Sequence, residues 1–148
     1  MKIDLQNVFS QAQAITASAL STNVMDLMSG SSSTPMKHIG VGAIPIFLVV
    51  LCTVAMTDSN SDSTVAVTLV NGATSTPSTT IQTIGTFAAL SAAGTRMVVP
   101  LVQTETPLRY LGVYYTVANG NLTTGSFWAF LTPNPDLYTA YPNNFNVG

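Results

Sequence analysis

The stretch Ser63-Thr64-Val65-Ala66-Val67-Thr68-Leu69-Val70 decides the fold class. Val65, Val67 and Leu69 fall on one side, and Thr64, Ala66 and Thr68 on the other. A period of two is the signature of a strand with one face on a core and one in water. Asn71-Gly72 follows, a pair that favours a turn. The pattern returns over Arg109 to Ala118, where Leu111, Val113, Tyr115 and Val117 alternate with Gly112, Tyr114 and Thr116. Asn119-Gly120 and a further strand over Leu122 to Leu131 then predict a hairpin, because Asn and Gly accept the positive φ of tight turns.

Working outward, strands are expected at Ser21 to Leu27, Ile44 to Met56, Thr80 to Ala89 and Thr95 to Val102. Pro100 lies within the last and cannot donate a ladder hydrogen bond, so that strand should be an edge or carry a bulge. Residues 5–20 fit two patterns. Leu5, Val8, Phe9, Ala12, Ile15 and Ala19 have helical spacing, while Ile15-Thr16-Ala17-Ser18 reads equally well as strand. After Leu131 the chain turns to Pro133, Pro135, Pro142, Asn143 and Asn144, with Tyr138, Tyr141 and Phe145. Seven or eight short strands at this spacing predict an all-β protein, an antiparallel jelly-roll-like sandwich. The expected division is a domain over 1–131, with an N-terminal arm over 1–20, and an irregular tail over 132–148.

The 148 residues suit one domain with a substantial core. Charged residues are only 7%, apolar residues 47%, and mean hydropathy is +0.39. Ser and Thr number 14 and 21. Such apolar content argues against disorder. Lys2, Lys37, Arg96 and Arg109 are too few and too scattered to neutralise phosphates, so no nucleic acid is expected as partner. A surface this poor in charge and rich in hydroxyls has two readings: part of it is covered in service, or hydroxyls alone hydrate it.

Ile39 to Thr57 carries no charge and invites a membrane reading. Gly40, Gly42 and Pro45 break it, and the remaining run is β-branched and about eleven residues long, short of the roughly 20 a span requires. A buried strand is expected and no membrane partner. Lys2, Asp4 and the polar stretch from Gln6 to Ser18 do not make a secretion signal, so synthesis in a cytoplasm is expected.

Residues able to carry chemistry are few. His38 is the single histidine and Glu105 the single glutamate, neither with a partner motif. Asp58-x-Asn60-x-Asp62 opens like a calcium loop, but Ser63 and Leu69 stand where Gly and Glu are needed, so a solvated turn is expected. Cys52 lies in the most apolar segment and should be buried and inert. Asn121-Leu122-Thr123 matches a glycosylation acceptor, which a cytosolic protein would not present to the enzyme. No enzyme activity, cofactor or metal is expected. Tyr138, Tyr141 and Phe145 suit an interface or sugar platform, or equally a tail folded over its own core.

The opening Phe9-Ser10-Gln11-Ala12-Gln13-Ala14-Ile15-Thr16-Ala17-Ser18, with Ser21-Thr22-Asn23-Val24-Met25-Asp26-Leu27, resembles that of tailed-phage capsid cement (decoration) proteins. Ala93-Gly94-Thr95-Arg96 and Arg109-Tyr110-Leu111-Gly112-Val113-Tyr114-Tyr115-Thr116-Val117, with Asn119-Gly120, Leu122-Thr123 and Gly125, are similar to the family's closing hairpin. The likeness covers most of 1–131. Pro45 to Met56 is more apolar than the family pattern, and the tail is an extension. The resemblance implies a jelly-roll-like domain on the outer surface of a phage head, bound to the major capsid protein lattice, as a dimer or trimer and without catalysis. Contact with the shell or with a second copy is expected at Phe9, Ser10 and Gln13 in the opening segment and at Tyr138, Tyr141 and Phe145 in the tail. A carbohydrate-binding β-sandwich module on a virion is the alternative.

Overall fold

The computed structural model describes residues 5–27, 45–101 and 108–138. It is all-β, two antiparallel sheets facing one another across a common core. One sheet runs β1 (Val8–Ala14), β9 (Thr124–Thr132), β4 (Phe47–Thr57) and β7 (Arg96–Pro100). The other runs β2 (Ala19–Leu20), β8 (Tyr110–Ala118), β5 (Thr64–Gly72) and β6 (Thr79–Phe87), with β3 (Met25–Asp26) also on β8. Short 3-10 turns at Leu5–Asn7 and Pro135–Tyr138 bracket the strands.

The alternation sets the faces as expected. Val65, Val67 and Leu69 on β5 meet Leu111, Val113 and Tyr115 on β8 inside the sandwich. β4 supplies Leu48, Val50 and Cys52 to the same core from the opposite sheet. Its outward residue Val49 is buried as well, in a second small cluster with Val8 and Phe130, against which Val98 and Trp128 pack. The unbroken apolar run of β4 therefore reflects a strand covered on both faces.

Pairing differs from the sequence reading at three places. β8 and β9 are not a hairpin: β8 pairs with β5, and β9 with β1 and β4. Asn119 and Gly120 do take positive φ, 66° and 112°. They begin a longer corner in which Leu122 is buried in the core and its N–H donates to Thr16 O at 2.9 Å. That apolar plug carries the chain across to the other sheet. Asn71-Gly72 is the end of β5, facing Leu111 and Tyr110, and the chain reverses only after it. Gly72 is required there by close approach, since a Cβ would lie 2.8 Å from Pro77 Cα. Ser21 to Leu27 is mostly not ladder. Ser21 Oγ donates to Asn23 O at 2.8 Å and accepts from Val113 N at 3.1 Å, and Asn23 Nδ2 reaches Val8 O at 3.2 Å. Short polar side chains there compete with sheet hydrogen bonding.

The edges are blunted by a proline and by bulges. β7 is an edge strand ending at Pro100, as its proline predicts. β1 carries two register shifts, with Ala12 at φ 49°, and the β5–β6 pairing carries two more. Bulges twist an edge away from an incoming strand. Among the described residues no helix is long and apolar enough to cross a membrane.

Candidate interaction surfaces

The opening segment is not an adhesive arm in its described part. It is β1, an integral strand of the first sheet. Phe9 is buried in the main core, and Ser10 has no exposed surface. Tyr115 on the facing sheet donates its hydroxyl to Ser10 Oγ at 3.0 Å, and Ser10 donates to Gln13 Oε1 at 2.8 Å. Gln13 also accepts from Thr22 N at 2.9 Å and donates to Leu20 O at 2.9 Å. Phe9, Ser10 and Gln13, expected at a contact with a partner, thus spend their side chains on the fold. The serine hydroxyl points at an amide and a phenol, and neither is a general base. Burial, opposed by the bond to Ser10, pushes the Tyr115 phenol well above its ordinary value.

Of the tail candidates, Tyr138 closes the second 3-10 turn, and Tyr141 and Phe145 lie outside the described residues. Lys37, His38 and Glu105 lie outside them too. The fold continues past 131: Thr132 is buried opposite Phe47, and Arg96 Nη1 donates to Pro135 O at 3.1 Å. A cut at 132 would remove the end of β9. Cys52 is buried, its thiol donates to Val54 O at 3.1 Å, and burial raises its pKa.

Asp58 organises a turn. Its Oδ2 accepts from Asp62 N at 3.2 Å, Ser63 N at 3.2 Å and Ser63 Oγ at 3.0 Å. Desolvation pushes the carboxyl up, but these hydrogen bonds outweigh it and hold the pKa below the usual carboxylate range. Among the described residues no group of three or more His, Cys, Asp or Glu could hold a metal. A lowered native pKa means stability that is present above the unfolded value, near 3.9, and lost as pH falls through the native one. Asp58→Asn should therefore be less stable than wild type in urea melts at pH 7, and the gap should narrow in melts at acid pH as the native carboxylate takes up its proton. An equal gap at both pH values would remove the carboxylate from this role.

The two outer faces differ in chemistry. On the second sheet, Ala66 stands between Thr86 and Thr116, and Thr68 between Thr83 and Tyr114. Thr64 adds another hydroxyl beside Ala118. Around Thr64 to Thr68 this face carries methyl and hydroxyl groups, and at its Gly72 end it carries one charged pair, because Asp26 stands opposite the outward Tyr110 and binds Arg109. The other described charges, Asp58, Asp62, Arg96 and Asp136, belong to other elements. Arg109 is held to Asp26 by two hydrogen bonds of 2.9 and 2.8 Å and lies 4.9 Å above the Tyr110 ring. Alternation predicts the threonines' direction; their assembly into one field depended on pairings that the sequence does not display.

The family described as Bbp16 matches residues 9–131, most of the chain. Comparison with curated proteins finds no match.

Proposed function

This chain is a member of the Bbp16 family, and on that footing we propose that it is a capsid cement protein of a tailed phage. It binds the outer surface of the head and stabilises the major capsid protein lattice by bridging neighbouring subunits, as a dimer or trimer. The matched stretch coincides with the residues whose pattern resembles cement proteins. The observation that carries the reading is the threonine–alanine field on the outer face of the second sheet, where the described charge is confined to the paired Asp26 and Arg109 at one end. Free surfaces normally keep dispersed charges for solubility. A field whose only charges are paired with one another suits a partner that is neutral opposite it, and hydroxyls keep it soluble before it docks.

The mechanism is linkage. A ligand with affinity only for the assembled lattice stabilises it by RT ln(1 + [L]/Kd), about 3–4 kcal/mol at a hundred to a thousand times Kd. Bridging several subunits adds effective concentration, so modest contacts become long-lived.

The test is co-sedimentation of the purified chain with expanded heads that lack it. Saturable binding and a higher disruption temperature are expected. Thr68→Lys with Thr116→Lys should weaken binding about tenfold, as two charges are desolvated against a neutral surface. Absence of binding by the wild-type chain, or retention on polysaccharide instead, would overturn the reading.

A further inference from the structure

Among the described residues three large apolar side chains are exposed, and two of them belong to one end of the sandwich: Val54 at 49% and Leu90 at 53%. The backbone brings them together. Met56 N donates to Ser91 O at 2.9 Å, so the segments bearing Val54 and Leu90 are joined by a hydrogen bond one or two residues away.

Each is turned outward by a local irregularity. Along β4, Cys52 and Met56 point into the core, and simple alternation would send Val54 there too. Register shifts on both sides of Val54 re-aim it to solvent. Leu90 sits at φ 56°, a left-handed conformation uncommon for a residue with a branched side chain. Ser91 pins the turn, its N–H and hydroxyl both reaching Ala88 O, at 3.2 and 2.7 Å. Two departures from regular backbone thus stand side by side. Both expose an aliphatic group, and unfavourable local conformations concentrate where they serve a function.

The charge beside this patch decides the partner. Two acidic residues, Asp58 and Asp62, occupy the turn that follows β4 at the same end, and no described cation lies in that turn. A second copy would bring the same sign of charge to the same patch. We propose that Leu90 and Val54 form an apolar anchor that seats in a basic-rimmed apolar socket on the shell subunit. This rests on the cement reading and deepens it: β6 leads directly into the Leu90 loop, so the anchor adjoins the end of the threonine face.

The experiment measures head binding by wild type, Leu90→Gly combined with Val54→Thr, and Leu90→Asn. Glycine and asparagine both accept the left-handed conformation, so melting temperatures should match or exceed wild type. The double variant should bind about thirtyfold more weakly, half the transfer value of two aliphatic side chains that are already half-buried. Asp62→Asn should weaken binding at low salt and flatten its salt dependence. Wild-type binding with an undiminished double variant would overturn the anchor and leave the cement reading standing. No wild-type binding would overturn both. Wild-type dimers that the double variant converts to monomers would overturn the socket in favour of self-association.

Discussion

Phe127→Ala is expected to destabilise the protein by about 3–5 kcal/mol, the range for a buried aromatic truncated to alanine. Phe127 lies on β9 in the first sheet and has no exposed surface. Its ring centroid is 5.1 Å from Phe87 on β6 and 5.4 Å from Tyr115 on β8, both in the opposite sheet. One ring thus fills the space between the layers, and both its aromatic neighbours would line the cavity left behind. Such a loss is a large fraction of the roughly 5–15 kcal/mol that holds most domains folded. For a chain of this size it should lower the melting temperature by roughly 6–20 °C. Phe127→Leu keeps most of the volume and should cost under about 1.5 kcal/mol. Calorimetry of the two variants checks the pair. A loss below about 1 kcal/mol for the alanine variant would mean that the layers close without this ring.

The layers themselves were legible because a period of two fixes which side chains face inward, whatever strand stands alongside. Val65, Val67 and Leu69 needed no partner to declare themselves. Partnership was not legible. Asn119-Gly120 has the chemistry of a hairpin turn, yet Leu122 two residues on prefers the core and pulls the chain across it. From β6 to β9, successive strands alternate between the two sheets. No local signal encodes that, since the competing energies are long-range burial terms. Short polar residues misled in the other direction. Ser21, Thr22 and Asn23 read as part of a strand, but their side chains take up hydrogen bonds beside a few backbone ones, and the regular ladder is confined to Met25–Asp26.

The interaction surfaces show the same division. Thr64 and Thr68 on β5 and Thr116 on β8 could be read as outward-facing from the sequence, but the threonine–alanine field arises only when Ala66 is set between Thr86 and Thr116. Val54 could not be read at all. Its alternation says core, and a bulge says solvent. Phe9 and Ser10 were visible as a distinctive opening. That distinctiveness belongs to an inter-sheet contact, because a serine with no exposed surface must be matched to a partner, and Tyr115 is that partner.

That buried contact should respond asymmetrically. Ser10→Ala leaves the Tyr115 hydroxyl without its acceptor in a dry core, which should cost about 1–3 kcal/mol. Tyr115→Phe removes the donor, while Ser10 still donates to Gln13 Oε1, so about 0.5–1.5 kcal/mol is expected. The double variant should cost less than the sum, because the orphaned hydroxyl is gone; the coupling should be about 1 kcal/mol. Alkaline pH separates this account from simple loss of packing. Burial raises the native pKa of Tyr115 above the unfolded value, which lies near 10. Below pH 10 both states keep the proton and stability is unaffected. Above it the unfolded chain binds fewer protons, and stability falls by up to about 1.4 kcal/mol per pH unit from this group. Tyr115→Phe should therefore lose less stability than wild type between pH 9 and pH 11, in urea melts at each pH. Equal losses would mean that the phenol is not held neutral by the core.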